Sequence, residues 1–288
     1  MGPVAVEPYA SEFRRLVRLG AGAQDIHGSR TLDVGFARCT AATDTFIARE
    51  EARVALHQGG CCSLLEAAVG RARRVLDVGC STGAAAVAMA MSCVLAPELV
   101  VGVDPDPLSL RAAEVRARAH RLERGRTLFA RVAPDVPLPF AGDDFDLVVC
   151  VSVLEFVPTA AARRRLIDEM KRVVRPNGFV YLSTPSPLRL RDLHARRWLG
   201  DIVRRDGYPW APSPMWLRES VADFERVSIE PWLAARALAR AGLPGVALPT
   251  AAARAFGWAS SWQKILARRP APAPSAPRGR QAPPPIIS

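Results

Sequence analysis

Four short apolar runs constrain this chain more than any other feature of its sequence. They are VLDVG from Val75, LVVGVD from Leu99, FDLVVCVSVL from Phe145 and FVYLSTP from Phe179, and helical patterns lie between them. A strand with one solvated face alternates apolar and polar residues, whereas these runs are apolar on both faces. The sequence therefore predicts an α/β fold, doubly wound around a mostly parallel sheet that helices cover on both sides.

The predicted domain spans residues 44–269 and is flanked by two segments of different character. Residues 1–43 contain scattered glycines and no long pattern, so we expect a loosely structured lead-in. Residues 270–288 are rich in proline and are predicted to be a disordered tail.

Inside the domain, two segments depart from the alternation of strand and helix. Residues 44–70 are predicted to form two cap helices, broken at Gly59-Gly60. Residues 186–230 follow the fifth predicted strand and contain tryptophans, prolines and arginines without a period, so we interpret them as an insertion on the acceptor side. Two further strands are expected at 245–248 and 262–268.

Composition excludes several classes of protein. The six cysteines form no CxxC pair and have no histidine at zinc-ligand spacing, which argues against a metal site or a disulfide scaffold and favours the cytoplasm. The apolar stretch from Ala84 to Val103 is interrupted by Pro97-Glu98, so we expect no membrane span. The formal net charge of +11 permits a nucleic-acid partner but does not argue for one.

A loop of small residues follows the first predicted strand, in the segment VLDVGCSTG. Such a loop lets a ligand approach the backbone closely, and both dinucleotides and S-adenosylmethionine use this geometry. The dinucleotide fingerprint needs a glycine where Ser81 stands. Asp77 favours S-adenosylmethionine, because a carboxylate repels a pyrophosphate and attracts ammonium and sulfonium groups. The alternative is a structural Asp77 that accepts backbone N–H groups.

A second acid, Asp104, ends the next predicted strand. An acid at this place can accept hydrogen bonds from both hydroxyls of an adenosyl ribose, in either ligand class. The following helix already has Asp106 as its N-cap and Pro107 at its first position, so Asp104 is not needed to cap it. Asp104 therefore indicates an adenosine ligand.

The order of VLDVGCSTG, VVGVD, LPFAGDDFDLVVCVSVLEFV and LIDEMKRVVRPNGFVYLSTP resembles the class I S-adenosylmethionine-dependent methyltransferases. Within them it is most similar to the branch of quinone-biosynthesis and other small-molecule methyltransferases. The resemblance covers residues 74–185 and, less firmly, the chain to residue 268. It implies S-adenosyl-L-methionine as cofactor and a seven-stranded sheet whose last strand is antiparallel.

The resemblance also implies roles for residues at the carboxyl edge of the sheet. Asp104 corresponds to the ribose acid, followed by Pro105, and Asp135 to the acid that bonds the adenine amino group. Val151 corresponds to the segment beside the transferable methyl group. The methionine part of the cofactor would be held by Asp77, Gly79, Cys80, Ser81 and Gly83.

Proton removal from the acceptor needs a general base. His194, with Asp192 beside it, follows the fifth predicted strand and is our first candidate, with an exposed surface histidine as the alternative. Glu155 is the second candidate. This branch often has Leu-Glu-His where Leu154-Glu155-Phe156 stands, so a histidine role at that position is lost here.

The sequence thus predicts methyl transfer to a small molecule, with O-methylation of an aromatic, quinone-like or otherwise anionic metabolite as the first hypothesis. The acceptor pocket is expected between residues 44–66 and 186–230, where aromatic side chains and arginines are concentrated. A nucleic-acid methyltransferase and a non-catalytic binding protein with this fold are the alternatives. The sequence makes no prediction of oligomeric state.

Overall fold

The protein is built around one seven-stranded sheet. A computed structural model describes residues 11–16, 44–122, 125–134, 136–187, 212–246, 248–249, 251–252 and 262–271. The strands are β1 (Arg74–Val78), β2 (Leu99–Asp104), β3 (Thr127–Arg131), β4 (Phe145–Val151), β5 (Val174–Pro185), β6 (Glu225–Val227) and β7 (Trp262–Arg268).

The strand order is β3-β2-β1-β4-β5-β7-β6. Strands β1 to β5 pair in parallel, and β7 runs antiparallel to both β5 and β6. The predicted seven-stranded, mostly parallel sheet with an antiparallel last strand is therefore confirmed. In this topology β1 and β4 are central, and the carboxyl ends of the parallel strands meet at one edge.

Helices lie on both faces of the sheet. They are α1 (Asp44–His57), which continues through a π-helical segment (Gln58–Cys62) into α2 (Ser63–Val69), then α3 (Ala84–Ala90), α4 (Pro107–Ala119), a 3-10 turn (Leu154–Phe156), α5 (Ala160–Val173), α6 (Pro214–Glu219) and α7 (Glu230–Arg240). Residues 11–16 are also helical.

The capping prediction for α4 is confirmed. The side chain of Asp106 accepts hydrogen bonds from the amides of Leu108 and Ser109, and Pro107 occupies the first helical turn. In the same way, Thr159 accepts from the amide of Ala162 at the start of α5. Both helices therefore begin where the sequence provides a partner for their first N–H groups.

Two apolar layers fill the space between sheet and helices. Val75, Val149, Tyr181 and Leu266 face α1 to α3 and α7. The alternate residues of the same strands face α5 and α6. Each central strand is thus buried on both faces, which is why its sequence is apolar without alternation.

Several segments differ from the prediction. The helix break predicted at Gly59-Gly60 is absent, because the π-helical segment (Gln58–Cys62) joins α1 to α2. The sixth strand is β6, at Glu225–Val227, and not residues 245–248, of which the described residues form no strand. β6 has only three residues, lies at the sheet edge and pairs with β7 alone, so its sequence lacks an apolar run. Within the expected insertion 186–230, α6 contributes the fully buried Leu217 to the core.

A further difference lies in the expected lead-in, where the helical residues 11–16 place the buried Phe13 and Leu16 against α4. The proline-rich stretch 272–288 lies outside the described residues. Across the ranges that the structure describes, every helix is too short or too polar to cross a bilayer.

Candidate functional site at the carboxyl edge of the sheet

The predicted cofactor residues of β1, β2 and β4 meet at one edge of the sheet. Asp77 and Asp104 are buried at the ends of adjacent parallel strands. Gly79, Ser81 and Val151 are partly exposed beside them, as is Pro105 after β2. The structure therefore brings together two buried acids and a partly open rim, which is a suitable geometry for an elongated ligand.

Asp77 is a buried acid with unused hydrogen-bonding capacity. Its side chain is 2% exposed, and its Oδ2 atom has no hydrogen-bond partner among the described residues. Burial raises the pKa of this carboxyl to about 7, while the nearby His57 and the amide of Ala86 act in the opposite direction. A buried acceptor without a partner is unfavourable, and a cationic group would relieve that cost.

Asp104 holds the loop that follows β1. Its Oδ2 accepts a hydrogen bond from the amide of Ser81 at 2.8 Å, and its Oδ1 accepts from the amide of Asp106 at 3.0 Å. Burial raises its pKa to about 6, against these two amides. A carboxylate oxygen has two acceptor positions, so both oxygens retain capacity for a ligand hydroxyl.

The loop itself offers few free N–H groups. The amides of Gly79 and Cys80 donate to the carbonyl of Val103 at 2.8 and 3.0 Å, and the amide of Gly83 donates to Cys80 at 2.9 Å. The amide of Ser81 is bound by Asp104. A pyrophosphate depends on such donors, so the loop does not suit a dinucleotide.

Gly79 requires both the conformation and the size of glycine. Its φ is +72°, and a Cβ atom there would lie 2.3 Å from Cγ2 of Val153. Gly83 also has φ +72°, with Cβ of Ala113 2.7 Å from the place of an added Cβ. Ser81, which replaces the middle glycine of the fingerprint, adopts φ +48°. The loop therefore keeps a glycine-like path at a position where serine stands.

A buried ion cluster, which the sequence analysis missed, connects the cap helix α1 to this loop. Glu50 of α1 is 6% exposed and accepts a hydrogen bond from Thr82 Oγ1 at 2.9 Å. Arg53 lies 2.9 Å from its other oxygen. Arg116 of α4 is 1% exposed, lies 3.6 Å from Glu50 and donates to its backbone carbonyl at 3.0 Å.

Glu155 is placed near the edge but is deeply buried. Its side chain is 1% exposed, and Thr184 Oγ1 donates to its Oε2 at 3.0 Å. It lies in the 3-10 turn just after β4, next to the partly exposed Phe156. An acid in this position is well suited to fix the ends of β4 and β5 together.

Two predicted site residues, His194 and Asp135, lie outside the described residues, and so does Asp192. The same is true of most aromatic side chains and arginines of the predicted acceptor pocket. Of the described cysteines, Cys61, Cys62, Cys80, Cys93 and Cys150 are all free. The described ranges contain no group of three or more metal-ligating side chains.

Comparison with known proteins gives a consistent result for the central segment. Residues 76–182 match a family described as a methyltransferase domain. The ubiquinone biosynthesis O-methyltransferase of Paracidovorax citrulli is 35% identical over 114 residues, which are 39% of this chain and 43% of that protein. The protein of the same description from Thiobacillus denitrificans is 37% identical over 114 residues, 39% of this chain and 44% of its own.

These curated relatives are matched over less than half of their length. Two solved structures share the fold at low identity. The [4+2]-cyclase SpnF has a TM-score of 0.50 and 19% identity, with 94% of this chain and 98% of that chain covered. A complex of the Haloferax volcanii Trm112 methyltransferase activator with a methyltransferase has a TM-score of 0.50 and 18% identity, with 77% of this chain and 94% of that chain covered.

Proposed function

We propose that this protein, whose residues 76–182 match a methyltransferase domain, belongs to the class I S-adenosylmethionine-dependent methyltransferases and transfers a methyl group to a small-molecule acceptor. The acceptor atom is an oxygen, and the acceptor is an aromatic, quinone-like or otherwise anionic metabolite. The names of the relatives from Paracidovorax citrulli and Thiobacillus denitrificans support oxygen as the acceptor atom.

The observation that carries the proposal is the buried Asp77, whose Oδ2 has no hydrogen-bond partner in the described part of the chain, beside a loop whose amides are largely used internally. Such a site attracts a cation and lacks donors for a pyrophosphate. The residues present therefore fit S-adenosylmethionine, whose ammonium and sulfonium groups are positive. When bound, this cofactor supplies a methyl group that is already activated, so the protein must align the acceptor, exclude water and accept a proton.

Each predicted residue then has a proposed task. Asp77 binds the ammonium group of the cofactor, and Asp104 accepts from the ribose hydroxyls while it holds Ser81. Asp135 accepts a hydrogen bond from the adenine amino group, and Pro105 is part of the cofactor site beside Asp104. Val151 lies beside the methyl group. The backbone that surrounds the methionine part is formed by Gly79, Cys80, Ser81 and Gly83.

Binding of the cofactor can be tested directly. Calorimetric titration with S-adenosylhomocysteine should show binding, and titration with NAD should show none. Asp104→Ala should weaken binding of S-adenosylhomocysteine by tenfold or more, because it removes the ribose acceptor and the tie to Ser81. Binding of NAD alone would contradict the proposal.

The general base is proposed to be His194, with Glu155 as the second candidate. His194→Ala should reduce turnover on the true acceptor by about 10² or more without a change in cofactor affinity. Glu155 is bonded to Thr184 and buried, so Glu155→Gln should mainly lower stability if its role is structural. Unchanged turnover in His194→Ala would exclude the histidine.

A second candidate function is a protein that keeps the cofactor site without transferring a methyl group. Two observations favour it: Phe156 replaces the histidine of the Leu-Glu-His segment, and Ser81 replaces the middle glycine of the loop. Transfer of a radiolabelled methyl group to any member of a panel of phenols and carboxylic acids would reject this alternative. Binding of S-adenosylhomocysteine without transfer to any of them would favour it.

A further inference from the structure

A short helix near the start of the chain packs against the ion cluster that is connected to the proposed cofactor loop. Residues 11–16 are helical, and two of their side chains, Phe13 and Leu16, are 0% and 1% exposed. Both belong to an apolar cluster with residues of α4. Burial of this extent shows that the helix is part of the folded domain.

Two largely exposed ion pairs hold this helix between α1 and α4. Arg14 Nε lies 3.0 Å from a carboxylate oxygen of Glu51 in α1. On the other side, a carboxylate oxygen of Glu12 lies 3.6 Å from Arg118 of α4. Exposed pairs contribute little to stability, but these two define where the helix lies. The helix thus bridges the two helices that supply the buried ion cluster.

Phe13 covers the buried cation of that cluster. The guanidinium carbon of Arg116 lies over the Phe13 ring, 4.7 Å from its centroid. Arg116 is as deeply buried as Phe13, so the contact is shielded from water. A cation over an aromatic face is attracted by the ring quadrupole, most strongly where water is excluded. Phe13 therefore stabilises a charge in a place where a charge is costly.

The guanidinium of Arg116 is connected to the cofactor loop through Glu50. Arg116 Nη2 lies 3.6 Å from Oε2 of Glu50 and donates to the backbone carbonyl of the same residue at 3.0 Å. The same Oε2 atom accepts a hydrogen bond from Thr82 Oγ1 at 2.9 Å, and Thr82 lies in the loop after β1. One carboxylate oxygen thus connects the cation beneath Phe13 to the loop.

We propose that Phe13 is a positioning residue for the cofactor and acts through Arg116, Glu50 and Thr82 on the loop after β1. The proposal rests on the proposed function, because it concerns the affinity of this loop for S-adenosylmethionine. Without the ring, water reaches the guanidinium and weakens its attraction for Glu50, since a charge pair is weaker at a higher dielectric constant. The loop then occupies its binding conformation less often, and the apparent affinity falls by the same factor.

Phe13→Leu tests this role, because it removes the aromatic ring and keeps an apolar side chain. Affinity for S-adenosylhomocysteine, measured by calorimetry, should fall about tenfold, the equivalent of one desolvated contact between a cation and a ring. If Phe13→Leu does not fold at the titration temperature, Phe13→Met fills more of the ring volume and carries the same expectation. Urea unfolding shows which variants are folded.

Two further variants are the controls. Leu16→Val trims the other buried side chain of the same helix and leaves the ring over Arg116, so the affinity should change by about twofold or less while stability falls. Phe13→Tyr keeps the ring and should also stay within about twofold, although its buried hydroxyl lowers stability.

A double-mutant cycle separates positioning from stability. Thr82→Val keeps the shape of the side chain and removes its hydrogen bond to Glu50, so it disconnects the loop from the cluster. In the Thr82→Val background, Phe13→Leu should change the affinity for S-adenosylhomocysteine by about twofold or less, whereas its effect on the free energy of unfolding should remain. A purely structural role of Phe13 would give equal losses of affinity in both backgrounds.

The proposal is overturned by an unchanged affinity in Phe13→Leu, by an equal loss in Leu16→Val or Phe13→Tyr, or by a full loss in the Thr82→Val background. Absence of S-adenosylhomocysteine binding by the unaltered protein would contradict the proposed function and, with it, a role of Phe13 in cofactor binding. Binding that Phe13→Leu leaves unchanged would contradict only the role of Phe13.

Discussion

Asp77 illustrates how one buried carboxyl couples ligand binding to pH. Burial raises its pKa to about 7, above the ordinary value of 3.8. The folded apoprotein thus binds this proton more tightly than the unfolded chain does. The contribution of Asp77 to stability therefore increases as the pH falls through about 7 toward 4.

The same acid predicts a pH dependence of cofactor affinity. A cation binds the ionised form, so S-adenosylmethionine should bind with release of a proton below about pH 7, with affinity falling up to roughly tenfold per pH unit. Asp104, with its pKa raised to about 6, adds a second decrease in cofactor affinity as the pH falls through about 6. Calorimetry from pH 5.5 to 8 in buffers of different ionisation enthalpy measures the released protons.

Asp77→Asn is the control for this dependence. The variant should bind the cofactor more weakly, lack the proton release near pH 7 and keep the change near pH 6. A pH profile identical to that of the unaltered protein would show that Asp77 does not meet the cation.

Substitution of Gly79 should have two separable effects on the free energy of unfolding. Gly79→Ala should lower the free energy of unfolding by about 1 kcal/mol for its left-handed φ and by about 1–3 kcal/mol more for the clash with Val153. Gly242→Ala has a φ of +82° and no atom within 4 Å of the place of an added Cβ, so it should show only the first effect. Urea unfolding measures both.

Adding Val153→Ala tests the cause of the second effect. The double variant Gly79→Ala/Val153→Ala should be less destabilised than the sum of its single changes, because the clashing methyl groups are gone. Strict additivity would indicate that the loop moves and that Val153 does not confine it.

At the scale of elements, the cap helix α1 and the loop after β1 form one unit through Glu50. The hydrogen bond from Thr82 and the contact with Arg116 connect three segments that are far apart in sequence. Removal of one partner leaves a charge buried without compensation, which is far more costly than loss of a surface pair. We therefore expect the cap helix α1 and the loop after β1 to become ordered together.

Glu50→Gln should lower the free energy of unfolding by about 3–5 kcal/mol, because it removes the carboxylate charge that lies 3.6 Å from the buried guanidinium of Arg116. It should also weaken binding of S-adenosylhomocysteine. The neighbouring Glu51 pairs with Arg14 at a partly exposed site, so Glu51→Gln should change stability by less than about 1 kcal/mol. Similar losses in both variants would mean that the cluster does not position the loop.

At the scale of the whole molecule, the net charge of +11 sets a test of the nucleic-acid alternative. Non-specific attraction should give an affinity for single-stranded RNA that falls by more than 10² between 50 and 200 mM salt. Affinity for S-adenosylhomocysteine should change little over that range. Methyl groups transferred to RNA at 150 mM salt would contradict the small-molecule proposal.

Much of the architecture could be predicted because its signals are local. Apolar runs ending in Asp77 and Asp104 predicted adjacent parallel strands, and Asp106 with Pro107 predicted the start of α4. β6 was not predictable in this way, because a three-residue edge strand buries too little surface to leave an apolar pattern. Its place is set by pairing with β7.

The sequence by itself determined the order of strands and helices through β5, the small-residue loop and the two acids, since each depends on neighbours within a few positions. Only the tertiary structure decided that Oδ2 of Asp77 has no hydrogen-bond partner among the described residues, that Glu50 reaches Thr82, and that Lys264 shares a row with Ser183. The members of the last two pairs are separated by 32 and 81 positions. Their contacts arise from how the sheet and its cap pack, which no short sequence pattern encodes.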